Sequence, residues 1–271
     1  MIIERIRDFH TDHIFDCGQC FRWDREEDGS YTGIAGDRPA NISFEEGILR
    51  IDAPGIAGGD EGEEAFWRDY LDLDRDYGKI KKYLARRDPI LKEAISYGEG
   101  LRILRQDPWE ALVSFIISSN NNIPRIKKNI RDLAEGFGQP AGEFRGQTFY
   151  TLPSPEVLSI LTKEDLSPCR LGYRAGYLVK TAAMVEAAGE VTFDDLLSYS
   201  GVGPKVADCI ALFSMRRYDR FPIDTWVEKV MRELYGLENK RAMASFASET
   251  FGRWGGIAQQ YLFHYMRYHR K

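Results

Sequence analysis

The chain predicts an α+β protein, with a small antiparallel β-sheet domain over residues 1–100 followed by an all-helical domain over residues 101–271. Short alternating runs separated by Gly and acidic turns fill the first hundred residues, whereas apolar residues at helical spacing dominate thereafter. Formal charge divides at the same place, at −9 before residue 101 and +4 after it, against −5 for the whole chain. A positive half suits a face turned to a polyanion. Acidic loops gathered near the N-terminus explain the split equally well.

At 271 residues the length fits one large or two modest domains, and 43% hydrophobic with 29% charged residues excludes a disordered chain. No apolar run approaches the ~20 residues that cross a bilayer. Met1–Asp8 carries charges where a signal peptide needs its apolar stretch, so the expectation is an intracellular monomer, cytoplasmic or at the nucleoid, without membrane contact. Four cysteines are too few for a disulfide scaffold. Cys17 and Cys20 resemble half a zinc site, but no His pair completes it, and no metal ligand is assigned.

Within the first domain, Phe21–Trp23 and Ser30–Ile34 flank an acidic turn ending in Asp28-Gly29, a hairpin signature. Ile42 and Phe44 alternate with polar neighbours, Glu45–Gly47 turns the chain, and Ile48–Ile51 runs back, which predicts a meander open to water on one face. A Gly- and acid-rich loop, Pro54–Glu64, precedes helical signals at Ala65. In the second domain Asp107-Pro108-Trp109-Glu110 approximates a capping box ahead of the apolar run Ala111–Ile117. Ile126, Ile130, Leu133 and Phe137 share a helix face ending near Gly138. Ser154-Pro155 and Thr162–Asp165 open two short helices, and Leu178–Ala188 forms another.

The most informative stretch runs from Phe193 to Ile210. A short amphipathic helix leads into Gly201-Val202-Gly203, and a new helix starts at Pro204. Its free N–H groups and positive dipole end favour a phosphate. A plain helix–turn–helix corner would look the same. Lys205 lies in the first turn, where the dipole opposes a cation and lowers the amine's pKa, and a neutral amine is what nucleophilic attack requires. Asp224, in Phe221-Pro222-Ile223-Asp224, reads as the N-cap of the next helix. Capping alone explains it, but a fixed carboxylate near a reacting lysine also stabilises an oxocarbenium-like transition state.

Leu197–Asp224, with Gly201-Val202-Gly203, Lys205 and Pro222-x-Asp224, resembles the helix–hairpin–helix plus Gly/Pro/Asp (HhH-GPD) motif of a DNA glycosylase superfamily. Within it the chain resembles the 8-oxoguanine DNA glycosylase/AP lyase family. The likeness runs from about Cys17 to Phe263. It rests also on Gly18-Gln19-x-Phe21-Arg22-Trp23, Leu104–Pro108, Ser118–Ile123 with Arg125, Leu171–Ala175 and Val202–Ile210.

The resemblance implies a TBP-like sheet domain and a bifunctional glycosylase/lyase that flips 8-oxoguanine out of duplex DNA, opposite cytosine, in base excision repair. It makes Lys205 the Schiff-base nucleophile for base release and β-elimination, and Asp224 the stabiliser of the sugar cation. Gly18 then offers its carbonyl to the N7 hydrogen of the lesion, Cys209 and Phe263 sandwich the base, and Gln259 reads its Watson–Crick edge. Asn120, Arg125 and Arg174 resemble readers of the orphaned cytosine, and Tyr173 the wedge beside the gap. No cofactor is implied beyond a monovalent cation held by backbone carbonyls at the hairpin. Where some members carry a His, this chain has Trp226, and Pro124 precedes Arg125.

Each residue also has an ordinary reading: loop caps for Asn120–Asn122, core for Cys209 and Phe263, helix surface for Gln259. Their joint occurrence with Lys205 and Asp224 lifts them. Two alternatives stay open: a monofunctional alkylated-base glycosylase, against which Lys205 argues, and a non-catalytic DNA-binding module that uses the hairpin only for phosphate contact.

Overall fold

A computed structural model describes residues 1–54 and 61–269, so most of the Pro54–Glu64 loop lies outside the described residues. The first half contains β1 (Ile2–Ile3), α1 (Thr11–Phe15), β2 (Trp23–Arg25), β3 (Tyr31–Ala35), β4 (Arg38–Glu45), β5 (Ile48–Asp52), α2 (Glu61–Tyr70), α3 (Tyr77–Ala85) and α4 (Pro89–Tyr97). There follow α5 (Pro108–Ser118), α6 (Ile123–Phe137), β6 (Pro140–Phe144), β7 (Gln147–Tyr150), α7 (Pro155–Ser159) and α8 (Arg174–Ala188). The chain closes with α9 (Pro204–Ser214), α10 (Thr225–Tyr235), α11 (Lys240–Phe251) and α12 (Gly255–His269). The architecture is the α+β arrangement expected, a five-stranded antiparallel sheet in the order β1-β5-β4-β3-β2 and then helices.

Both predicted hairpins form, with Trp23 opposite Gly33 and Ile42 opposite Ile51. The water-facing side of the sheet is confined to its β5 side, where Arg50 and Asp52 are exposed between the buried Leu49 and Ile51, whereas every residue of β3 is buried. One face packs Tyr31 and Ala35 against Phe15, Trp23, Trp67 and Tyr70. The other is covered by α6 and by the β6–β7 hairpin, which touches β4 and lies between two helices of a domain expected to be all-helical. Sequence reasoning passes over the hairpin because it is short and gains its stability from packing on the sheet rather than from a strong local pattern.

Caps set most helix starts. Asp76, Asp88, Asp107, Asn122, Ser154, Asp224 and Asn239 each accept the N–H three residues on. Glu110 departs from the capping box. Its carboxylate leaves Asp107 and accepts from Gly36 N (3.2 Å), with the buried Arg22 guanidinium 3.6 Å away. Burial raises the Glu110 pKa, and Arg22 opposes that rise. Thr162–Asp165 closes a turn through reciprocal side-chain bonds instead of a helix. The segment before Gly201 is a single 3-10 turn, Leu196–Ser198.

Two apolar clusters interlock. Residues 3–73 form the sheet core together with Leu104, whereas Phe21 leaves the sheet segment to pack edge-on against Phe115 in the helical core, which also takes in α3 and α4. The seam is polar where the chains cross. Gln19 is fully buried. Its Nε2 donates to Ile14 O and Arg102 O, its Oε1 accepts from Leu104 N, and its own carbonyl accepts from Gln106 Nε2. Asp72, 2% exposed, accepts from Arg75, Tyr77 and Tyr218 and lies 3.0 Å from an Arg105 nitrogen.

Removing one member of a buried ionic cluster strands the others without a counter-charge. Asp72→Ala is therefore expected to lower the unfolding free energy by about 3–5 kcal/mol, and Asp72→Asn by less, because the amide still accepts hydrogen bonds. Urea titration of the three proteins checks the order.

Candidate active site

Helix α9 begins without a side-chain cap: Gly203 precedes Pro204, and the next amides point out of the hairpin. Gly201 has φ +84°, and the Tyr177 ring packs so closely that a Cβ there would approach it to 2.6 Å. Val202 is buried beneath the turn. Free amides at a tight, glycine-built turn make an anion-binding concavity.

Lys205 and Cys209, one turn apart on α9, share a cavity with Asp224, at the start of α10. Cys17 and Gly18 enter from the sheet domain, Gln259, Gln260 and Phe263 from α12, and Phe115, Phe213 and Pro222 close the floor. About 310 Å³ of empty space, including the mouth, lies between them. Asp224 Oδ1 accepts from Val227 N at 2.8 Å, so the N-cap reading holds while the residue faces the cavity. Gln259 is 4% exposed and its Oε1 has no hydrogen-bond partner, an arrangement that suits a ligand donor.

The electrostatics correct one expectation. The helix dipole was expected to lower the Lys205 pKa, yet it is raised. Cys209 raises it most, then Asp224, against burial, which lowers it. Burial pushes the Cys209 thiol up to about 11, so its pull is that of a thiolate and acts only in alkaline solution. Near neutrality the resting amine is an ammonium facing the Asp224 carboxylate, and it must lose a proton before it can attack.

A second cluster lies apart, at the α5–α6 loop. Asn120 has φ +50° and is exposed. Buried Arg174 donates to the Ser119 and Asn120 carbonyls and to Leu171 O, and stacks on Tyr173, 54% of which is exposed. Arg125 is exposed one turn into α6, its backbone N–H capped by Asn122. Thus Gly18, Lys205, Cys209, Asp224, Gln259 and Phe263 converge on one cavity. Asn120, Tyr173 and Arg174 form the second group, with Arg125 nearby in sequence. Trp226 is half-exposed, 5.8 Å from Lys229 Nζ. Sequence reasoning missed Phe115, Phe213, Cys17 and Gln260. The first two lay inside apolar helix runs, where nothing separates a pocket floor from core.

An uncapped hairpin beside a lysine–carboxylate cavity is accompanied by a family match that makes the chain a base excision DNA repair protein. The model described as HhH-GPD superfamily base excision DNA repair protein matches residues 113–251, and 8-oxoguanine DNA glycosylase, N-terminal domain matches residues 1–112. The chain is 32% identical to a probable N-glycosylase/DNA lyase of Methanothermobacter thermautotrophicus over 84% of this chain and 82% of that one. It is 30% identical to N-glycosylase/DNA lyase OGG1 of Arabidopsis thaliana over 92% and 75%. Among solved structures it is similar to MBOgg1 in complex with a low affinity DNA ligand (45% identity, TM-score 0.93, covering 100% of this chain and 96% of that one). The Clostridium acetobutylicum 8-oxoguanine glycosylase/lyase with dsDNA containing cytosine opposite 8-oxoG is similar too (42%, TM-score 0.92, 100% and 96%). This chain belongs to the 8-oxoguanine DNA glycosylase/AP lyase family. No helix among the described residues is long and apolar enough to cross a membrane.

Behind the cavity, His264 of α12 is 5% exposed, its ring 4.6 Å from His13, which stacks on His10 at 3.9 Å. Burial, with the neighbouring imidazoles, pulls the His264 pKa down to about 4. A depressed folded value means that the neutral ring's contribution is complete above the unfolded value of about 6.5 and is lost as pH falls toward 4. Thermal melts between pH 6.5 and 4 are expected to show a shallower fall for His264→Phe than for the parent.

Proposed function

We propose that this chain excises 8-oxoguanine from duplex DNA, opposite cytosine, and then cleaves the abasic strand in the same site. The observation that carries the reading is the convergence of Lys205, Asp224, Gly18, Cys209, Gln259 and Phe263 on one small cavity. A base inside a duplex cannot expose C1′ to a nucleophile, so it is extruded into the pocket. Phe263 and Cys209 offer the faces between which a purine stacks. The unpartnered Gln259 oxygen meets donors on its Watson–Crick edge, and the Gly18 carbonyl meets the N7–H that guanine lacks.

Lys205 first gives up one proton. Its nitrogen then bonds to C1′ as the glycosidic bond breaks, and the departing purine keeps that electron pair and takes up a proton. Opening of the sugar ring yields an imine. Loss of a C2′ proton then expels the 3′ phosphate by β-elimination. Asp224 faces the developing positive charge on the sugar, where a fixed carboxylate lowers the barrier. On the other strand, Tyr173 fills the gap while Asn120, Arg125 and Arg174 meet the unpaired cytosine. Arg and Asn suit that task because each directs two hydrogen bonds.

Borohydride trapping on duplexes holding 8-oxoguanine opposite each of the four bases tests the reading. A covalent adduct favoured by cytosine is expected. The absence of any adduct would favour a glycosylase that activates water. Lys205→Gln should abolish adduct and strand cleavage while damage-specific binding persists, and an equal loss of binding would contradict the assignment. Arg125→Ala and Arg174→Ala should flatten the preference for cytosine in the same assay.

A further inference from the structure

We infer that Gln260 is a positioning residue for lesion recognition, holding the Gly18 carbonyl in its reading direction through the Cys17 carbonyl. The inference rests on the role proposed for Gly18 above.

Gly18 has φ +79°, a conformation that other L-residues rarely adopt, and without a side chain its peptide groups rotate at little cost. A carbonyl that separates N–H from a bare lone pair must be held in direction, because hydrogen bonds weaken steeply once misaligned. Among the described residues none donates to the Gly18 carbonyl, which leaves it for a ligand. Its direction is therefore set by the two flanking residues. On one side stands Gln19, immobilised in the domain seam. On the other, Cys17 O accepts from Gln260 Nε2 at 2.7 Å, both residues being buried.

Gln260 belongs to a stripe on α12. Gln260, His264 and Tyr268 are spaced four apart and so share one face. Gln260 bonds Cys17 O, His264 packs on His13 of α1, and the Tyr268 hydroxyl donates to Asp16 O at 2.7 Å. Gln259 and Phe263, each one residue before a stripe member, line the cavity, and Gln260 borders it as well, with its amide nitrogen committed to Cys17 O. One helix thus carries a wall of the base slot and also grips the turn opposite. A Cβ on Gly18 would stand 3.7 Å from the Phe263 ring, so a small rotation of the turn alters the slot itself. A Gln on a buried helix face costs stability unless it is bonded, and here its bond goes to the recognition turn.

Gln260→Met keeps the side-chain length and removes the donor. Its affinity is to be measured for uncleavable 2′-fluoro duplexes holding 8-oxoguanine or guanine opposite cytosine, alongside β-elimination at a preformed abasic site and urea unfolding. The expected result is about a tenfold fall in the 8-oxoguanine-to-guanine affinity ratio, the worth of one well-directed hydrogen bond. Abasic-site cleavage, which uses no base, should stay at the parental rate. An unchanged ratio overturns the inference, and so does a parallel loss of abasic-site cleavage, which would mark a general structural role. If the parent protein itself fails to separate the two duplexes, the Gly18 reading fails instead. Should Gln260→Met not fold, Tyr268→Phe, which removes one hydroxyl at the far end of the stripe, is expected to lower the same ratio about threefold, and an unaltered ratio there overturns the inference.

Discussion

The site depends on the burial of a single amide side chain between two differently built halves. Gln19 is fully buried, and its bonds reach Ile14 on one side and Arg102 and Leu104 on the other. A side-chain amide so placed is costly if any partner moves away, which makes the relative position of the halves nearly all-or-none. The cavity takes Cys17 and Gly18 from the sheet domain and its remaining walls from helices. Without that registration the chain would hold a lysine and a carboxylate but no enclosed cavity between them.

Within the slot, the chemistry is set by what surrounds Lys205. Cys209 raises the Lys205 pKa most, burial favours the neutral amine, and Asp224 favours the ammonium. A site tuned only for nucleophilicity would omit the carboxylate. Under the proposed function, its presence trades ground-state readiness of the amine for stabilisation of a sugar cation.

Much of this was legible in the residues because it is local. Caps such as Asp107 and Asp224, the Asp28-Gly29 hairpin and the Pro204 helix start depend on a few neighbours, and each formed where expected. What failed was decided at a distance. The β6–β7 hairpin exists to cover a sheet face, Glu110 abandons its cap for Arg22 and Gly36, and the Lys205 shift reflects partners on two helices. Gln260 shows the same limit, because nothing in its immediate neighbours points to Cys17, 243 residues away.

The charge asymmetry takes on a different meaning in three dimensions. Acidic groups of the first half pair with basic groups of the second across the seam: Asp24 with Lys127 and Arg131, Asp69 with Arg105 and Arg216, Asp52 with Arg145. Part of the +4 surplus is therefore spent holding the halves together and is not offered to DNA. Attraction to a polyanion then falls to basic groups outside these pairs, while the amides at the start of α9 offer a different kind of contact. Oriented N–H dipoles fix a phosphate in place without displacing counterions as mobile lysines do, so they position more than they attract. That is the balance a damage-searching enzyme requires: contact firm enough to fix the register of a flipped nucleotide, and loose enough to leave undamaged DNA.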